Sequence, residues 1–157
     1  FLGSNTQKVV RQLHRPILII KEPVEKLPFK RAIYASSFNE NEKQPFRKFL
    51  QLNNFLKLTE LHLLSVHSDS LFDPPYILSK EAMKDFKKMA KGLNCYTHVY
   101  RDFSVDKGIR SFGQEIEADL LVISNHHRHP LKRMLVGSNV EALVNHSDLP
   151  VLSIDFE

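Results

Sequence analysis

The sequence predicts an α/β fold: a five-stranded parallel sheet with helices on both faces, preceded by an extra helix and strand. Three observations predict it. Short apolar runs rich in β-branched residues alternate with segments of helical period, the pattern that right-handed β-α-β crossovers leave in a sequence. Two of the runs, "ELHLLSVH" (60–67) and "DLLVIS" (119–124), are apolar nearly throughout, as strands buried on both faces are. Finally, the chain repeats itself. "GSNTQKVVRQLHRPILII" (3–20) aligns without a gap on "GSNVEALVNHSDLPVLSI" (137–154) at an offset of 134, with seven of eighteen positions identical.

An offset of 134 is the size of a whole domain rather than of a solenoid unit. Residues 1–22 therefore read as the last helix and strand of a preceding domain, 23–29 as a linker and 30–157 as a complete domain. The chain opens at Phe1-Leu2-Gly3 without a methionine, and the expectation is a fragment of a longer tandem protein.

Each element has its own reason. Residues 4–14 read as a helix that Ser4 or Asn5 can cap, because either side chain can accept from a first-turn amide. "PILII" (16–20) is a strand opened by a proline, where no ladder donor is needed. "RAIYAS" (31–36) is a short buried strand, and a helix follows within 42–57. Pro45 suits that helix's first turn, and Phe46, Phe49, Leu50 and Leu56 form its apolar stripe.

After the strand 60–67, a Pro-Pro break interrupts the loop 68–79. The next helix begins near Ser79, turns Ala82, Phe86, Met89, Ala90 and Leu93 inward, and ends by Gly92. "CYTHVYRD" (95–102) alternates like a strand. Ser104 caps a helix whose inner face is Val105, Ile109, Phe112 and Ile116. The strand 119–124, a polar loop, a helix after Gly137-Ser138 and the strand "PVLSI" (150–154) complete the order.

Composition narrows the function. Hydrophobic residues make up 42% and charged residues 25% of the chain, the proportions of a globular protein. No apolar run approaches the roughly 20 residues that span a bilayer. The lone Cys95 excludes an internal disulfide framework, fits a cytoplasmic, reducing compartment, and reads as a small hydrophobe. Net charge is +4, and the lysines of "KKMAKG" (87–92) belong to a solvated helix face, so no nucleic-acid surface is expected. His126, His127 and His129 crowd one basic loop, but neighbouring loop histidines point apart and zinc needs convergent ligands, so no metal site is expected. His62, inside a buried strand, reads as a core histidine bonded to a neighbour. His67 ends that strand near the presumed cleft.

In parallel sheets ligands sit outside the carboxyl ends of the strands, which singles out the loops 35–41, 66–78 and 124–138. Here the residues resemble a known family. "ADLLVISNHHRHPLKRMLVGSNVEALVNHSDLPVLSI" (118–154) is similar to the carboxyl-terminal signature of the universal stress protein domain, and "AIYASSFNENE" (32–42) to its opening strand and loop. The resemblance implies a sheet that binds adenine nucleotide in some members and not in others. Binding members carry glycine, two residues, glycine, nine residues, then glycine and Ser or Thr. Here those places hold Ser124, His127 and Gly137-Ser138. Without glycines at the first two, backbone amides cannot approach a phosphate as closely. The family's aspartate after the first strand falls on Ser37.

The resemblance therefore implies a stress-response regulatory or dimerisation module with a degenerate nucleotide loop and no enzyme activity. No cofactor is expected. The alternative is an ATP- or AMP-binding domain with slow or no hydrolysis. If a nucleotide is held, the contacts would be Ala35, Ser36, Ser37, Val66, Ile123, Ser124, His126, His127, Gly137, Ser138, Asn139 and Val140. The partner expected is a second such domain. It would be met through strands 16–20 and 150–154, either within one chain or across a homodimer, because an apolar edge strand must be covered.

Overall fold

The computed structural model describes residues 15–24, 27–68, 73–126 and 142–156. The strands are β1 (Ile17–Ile19), β2 (Arg31–Ala35), β3 (Glu60–His67), β4 (Asn94–Arg101), β5 (Leu120–His126) and β6 (Val151–Phe156). The helices are α1 (Lys43–Leu56), α2 (Tyr76–Met89), α3 (Val105–Glu115) and α4, described over 142–146. The predicted helix 4–14 lies outside the described residues.

The strands form one sheet in the order β1-β6-β5-β2-β3-β4. All neighbours are parallel except β1, which runs antiparallel to β6 with Leu18 opposite Leu152. The α/β architecture is as expected, but the sheet has six strands rather than five. The extra strand is the leading segment, which meets the closing strand within one chain. The reason is the one that predicted the meeting: an uncovered β6 would present its amides and carbonyls to solvent.

Alternation on the strands sends side chains to two cores. Tyr34, Leu61, Leu63 and Val122 face α1 and α2, where Phe46, Phe49, Met83 and Phe86 are buried. Ile33, Leu64, Leu121 and Ile123 face α3 and α4, where Ile109, Phe112, Leu143 and Val144 are buried. The predicted stripe of α1 holds, with Phe46 and Phe49 fully buried.

Helix α2 differs from expectation at its start. It begins at Tyr76, just after Pro75, so Ser79 and Met83 become inward positions. It ends at Met89, and Gly92 takes φ +90° in the turn beyond. Ser104 caps α3 by accepting from the Lys107 amide. Gly108 of α3 is a close-approach glycine: a Cβ there would lie 2.6 Å from Val66 Cγ1, so only hydrogen lets α3 lie this near β3.

Candidate functional site

Strand order places the site. Strand β2 has β3 and β4 on one side and β5 and β6 on the other. The switch point therefore lies between the carboxyl ends of β2 and β5, where open parallel sheets take ligands. Ala35 and Ile123 are register partners across that seam, and the Ser36 amide donates to the Leu64 carbonyl at 3.1 Å. Ala35, Ser36, Ile123 and Ser124 thus lie together at one strand end. Val66 lies on β3 and packs with the α3 core. His126 is opposite Phe156 in the β5–β6 register. His127, Gly137, Ser138, Asn139 and Val140 lie outside the described residues.

The loop after β2 is strongly shaped. Phe38 has φ +56°, a conformation that costs a bulky residue about 1–3 kcal/mol. Packing offsets that cost: its ring is 2% exposed and meets Phe86 edge-on at 5.0 Å. The Phe38 amide donates to Ser36 Oγ at 3.0 Å. One residue earlier, Ser37 is exposed, and its Oγ accepts from Asn39 Nδ2 at 2.9 Å. Asn39 in turn caps the 3₁₀ turn Glu40–Glu42 by accepting the Asn41 amide.

A carboxylate nevertheless sits at the switch point. Glu42 is 2% exposed, and Ser124 Oγ donates to its Oε2 at 2.5 Å. Burial of an ionised carboxylate is tolerated only where donors reach it. Beside this pair, the Tyr34 hydroxyl is fully buried and has no hydrogen-bond partner among the described residues. Burial first, and then the Glu42 charge, push its pKa well above the ordinary phenol value. The Ser124 hydroxyl works weakly the other way, but its proton is given to Glu42. Tyr34, Glu42 and Ser124 thus lie buried together at this strand end.

Sequence reasoning pointed to Ser124 but missed Glu42 and Tyr34. Glu42 reads there as a polar residue at a helix start, and only the turn of Glu40–Glu42 rotates it under the sheet end. His67, the other residue placed near the cleft, is buried and bonds Ser79 Oγ through Nε2 at 3.0 Å, tying β3 to α2. Cys95 is buried, which pushes its thiol up to about 11. Among the described residues, no group of three His, Cys, Asp or Glu side chains converges as metal ligands, and no helix is long and apolar enough to cross a membrane.

A mostly parallel sheet whose strand order reverses at the β2–β5 seam defines the class: a doubly wound α/β domain. Comparison with known proteins narrows it. The universal stress protein family model matches residues 28–154, and the chain belongs to that family. A universal stress protein of Mycobacterium tuberculosis is 29% identical over 73 residues, 46% of this chain and 25% of the relative. The match therefore spans about a quarter of that relative's length.

Among solved structures, a universal stress protein from Archaeoglobus fulgidus superposes with TM-score 0.74 at 21% identity, over 98% of this chain and 54% of the other. A universal stress protein in complex with cAMP superposes with TM-score 0.63 at 17% identity, over 82% of this chain and 98% of the other. One from Archaeoglobus fulgidus in complex with dAMP gives 0.59 at 13%, over 82% and 98%. At these identities the structural likeness speaks for the fold.

Proposed function

We propose that this chain is a universal stress domain whose nucleotide cleft is degenerate, and that it acts as a regulatory and dimerisation module rather than an enzyme. The observation that carries the reading is the buried Glu42 carboxylate held by Ser124. Ser124 stands where binding members have their first loop glycine. Its hydroxyl is committed inward, and the charge it serves is negative. A phosphate brought to this strand end finds the Ser124 proton already given to a carboxylate, so the side chain has no hydrogen left to donate. Ser37, exposed and bonded to Asn39, replaces a two-hydroxyl acceptor with a single hydroxyl.

The dimerisation half rests on symmetry. Under the offset of 134, Ile17, Leu18 and Ile19 correspond to Val151, Leu152 and Ser153 (17 + 134 = 151). The observed pairs are Ile17 with Ser153, Leu18 with Leu152 and Ile19 with Val151. This register is its own mirror: exchanging the two repeats returns the same three pairs. A local pseudo-two-fold axis therefore passes between Leu18 and Leu152, as an isologous contact between like domains requires. We infer that the β1–β6 seam is where two universal stress domains join.

A thermal-shift titration tests the cleft. A ligand at about 100 times its Kd adds about 2.7 kcal/mol to stability, several degrees of melting temperature at this size. The expected result with millimolar ATP and magnesium is no shift, and a gained shift in the Glu42→Gln/Ser124→Gly/His127→Gly variant. A shift of several degrees in the native chain selects the second reading, an ATP- or AMP-binding domain. That reading is favoured by the relatives solved with cAMP and dAMP. For the seam, a Leu18→Cys/Leu152→Cys pair should oxidise within one chain. Disulfides found only between chains would show strand exchange instead.

A further inference from the structure

A second polar assembly lies at the other side of the sheet, remote from the switch point. It runs across three adjacent strands. Arg31 Nε of β2 donates to Glu60 Oε1 of β3 at 2.6 Å. The same oxygen meets His62 Nε2 at 2.7 Å. His62 Nδ1 meets His98 Nε2 of β4 at 2.9 Å. The far guanidinium nitrogen of Arg31 donates to the Ile116 carbonyl, just past α3.

Register makes the contact. His62 is directly opposite Tyr96, and Leu64 is opposite His98, so His62 and His98 are diagonal neighbours on one face. Their rings stack at 5.0 Å, with Tyr96 stacked on His62 at 5.2 Å.

Donor and acceptor rules fix the protons. Glu60 sits between Arg31 and His62, and both hold its carboxyl below the ordinary range. An ionised carboxylate only accepts, so His62 Nε2 carries a hydrogen. In the neutral ring Nδ1 is then an acceptor, and His98 Nε2 must donate to it. One added proton is accommodated: either imidazole can become the cation while a single hydrogen stays between the rings. Two added protons are not, because N–H would then face N–H at 2.9 Å.

Among the described residues, the other groups facing the pair come from four elements. The β2 strand contributes Arg31, β3 Glu60 and β4 Tyr96, while α3 contributes the apolar ring of Phe112. Glu117 and Asp119 act on Arg31. Solvent reaches Glu60 through a groove of about 640 Å³ walled by Lys30, Arg31, Thr59, Glu60, Glu117 and Asp119.

We propose that Arg31, Glu60, His62 and His98 form a proton-binding site that takes up one proton, shared by the two imidazoles, and that a second proton parts the rings and loosens β4 from β3. The site couples the outermost strand of the sheet to ambient acidity. It belongs to the opposite end of the sheet from the nucleotide cleft and does not depend on whether that cleft binds. Burial, and then the nearby His62, hold the His98 imidazole below its ordinary value, in keeping with a ring that resists a second charge.

The test is imidazole ¹⁵N–¹H correlation spectroscopy of the whole chain between pH 8 and 4.5, combined with amide exchange of β4. At pH 8 both rings should show the Nε2–H tautomer. On acidification their signals should move together through a single-proton step. After correction for intrinsic rates, β4 amides should exchange at least tenfold faster at pH 5 than at pH 7. The partly exposed His98→Gln, which keeps a donor and an acceptor, should lose that acceleration, and His98→Asn serves if glutamine folds poorly. Two independent proton uptakes, one per ring, would overturn the proposal. So would undiminished acceleration in the His98 variants.

Discussion

Glu42 and Glu60 are both carboxylates bonded at strand ends of the same sheet, yet their surroundings differ. Glu42 is 2% exposed at the carboxyl end of the strands, and a hydroxyl donates to it. Glu60 begins β3 at the opposite end, its side chain 27% exposed, and its donors are a guanidinium and an imidazole. The first arrangement fixes a negative charge beneath a cleft. The second places a negative charge at the end of a chain of groups that can hold a proton. The difference teaches that partner type and burial, more than the carboxylate itself, decide what an acid can do in a fold.

The comparison can be broken or sharpened by substitution. The largest effect is expected from Phe46→Ala. That ring is fully buried and meets Tyr34 edge-on at 4.8 Å, and its loss should cost about 3–5 kcal/mol in urea unfolding. A smaller loss would mean that the floor of the cleft does not rest on this cluster. Next is Ser124→Ala, which removes a donor from a buried carboxylate and should cost about 1.5–3 kcal/mol. At the other end, Glu60→Gln disturbs a partly exposed ion pair and should cost about 1 kcal/mol or less.

Acidity acts on the Glu60 assembly in two stages. His98 is depressed in the folded state, so the folded chain binds fewer protons than the unfolded one. The stability it contributes is whole above the unfolded value of about 6.5 and is lost as pH falls through the folded value. Glu60 is also depressed, and its contribution disappears at lower pH, below about 4.3. Urea midpoints measured from pH 8 to 3 should therefore fall in two stages, and His98→Gln should remove only the upper one. The smallest effect is expected from Tyr34→Phe. Its hydroxyl is buried without a partner among the described residues, so its removal should leave stability unchanged or raise it by up to about 1 kcal/mol.

Much of the fold is legible in the residues themselves. The apolar runs at 31–36, 60–67 and 119–124 became β2, β3 and β5 because a strand buried on both faces needs little but apolar, β-branched side chains. The α1 stripe of Phe46 and Phe49 and the Ser104 cap are likewise local signals. Helix α2 was placed three residues late because Pro75 starts it, and a Pro-Pro pair reads equally well as loop. At the carboxyl ends of the strands, the sequence singles out Ser37 and Ser124. Glu42 was not, because nothing local distinguishes an acid that turns inward from one that faces solvent.

The sequence alone determined the α/β class, the repeat with its offset of 134, and the residue types at positions 37, 124 and 127. Each depends on short-range periodicity or on identity at a position. Tertiary structure alone decided that Glu42 reaches Ser124 across 82 residues and that His62 meets His98 across 36. Such pairs depend on strand order and register, and a shift of one residue would put the two imidazoles on opposite faces of the sheet. That is why the chain's architecture can be read from its pattern, while its two charged assemblies exist only in the folded molecule.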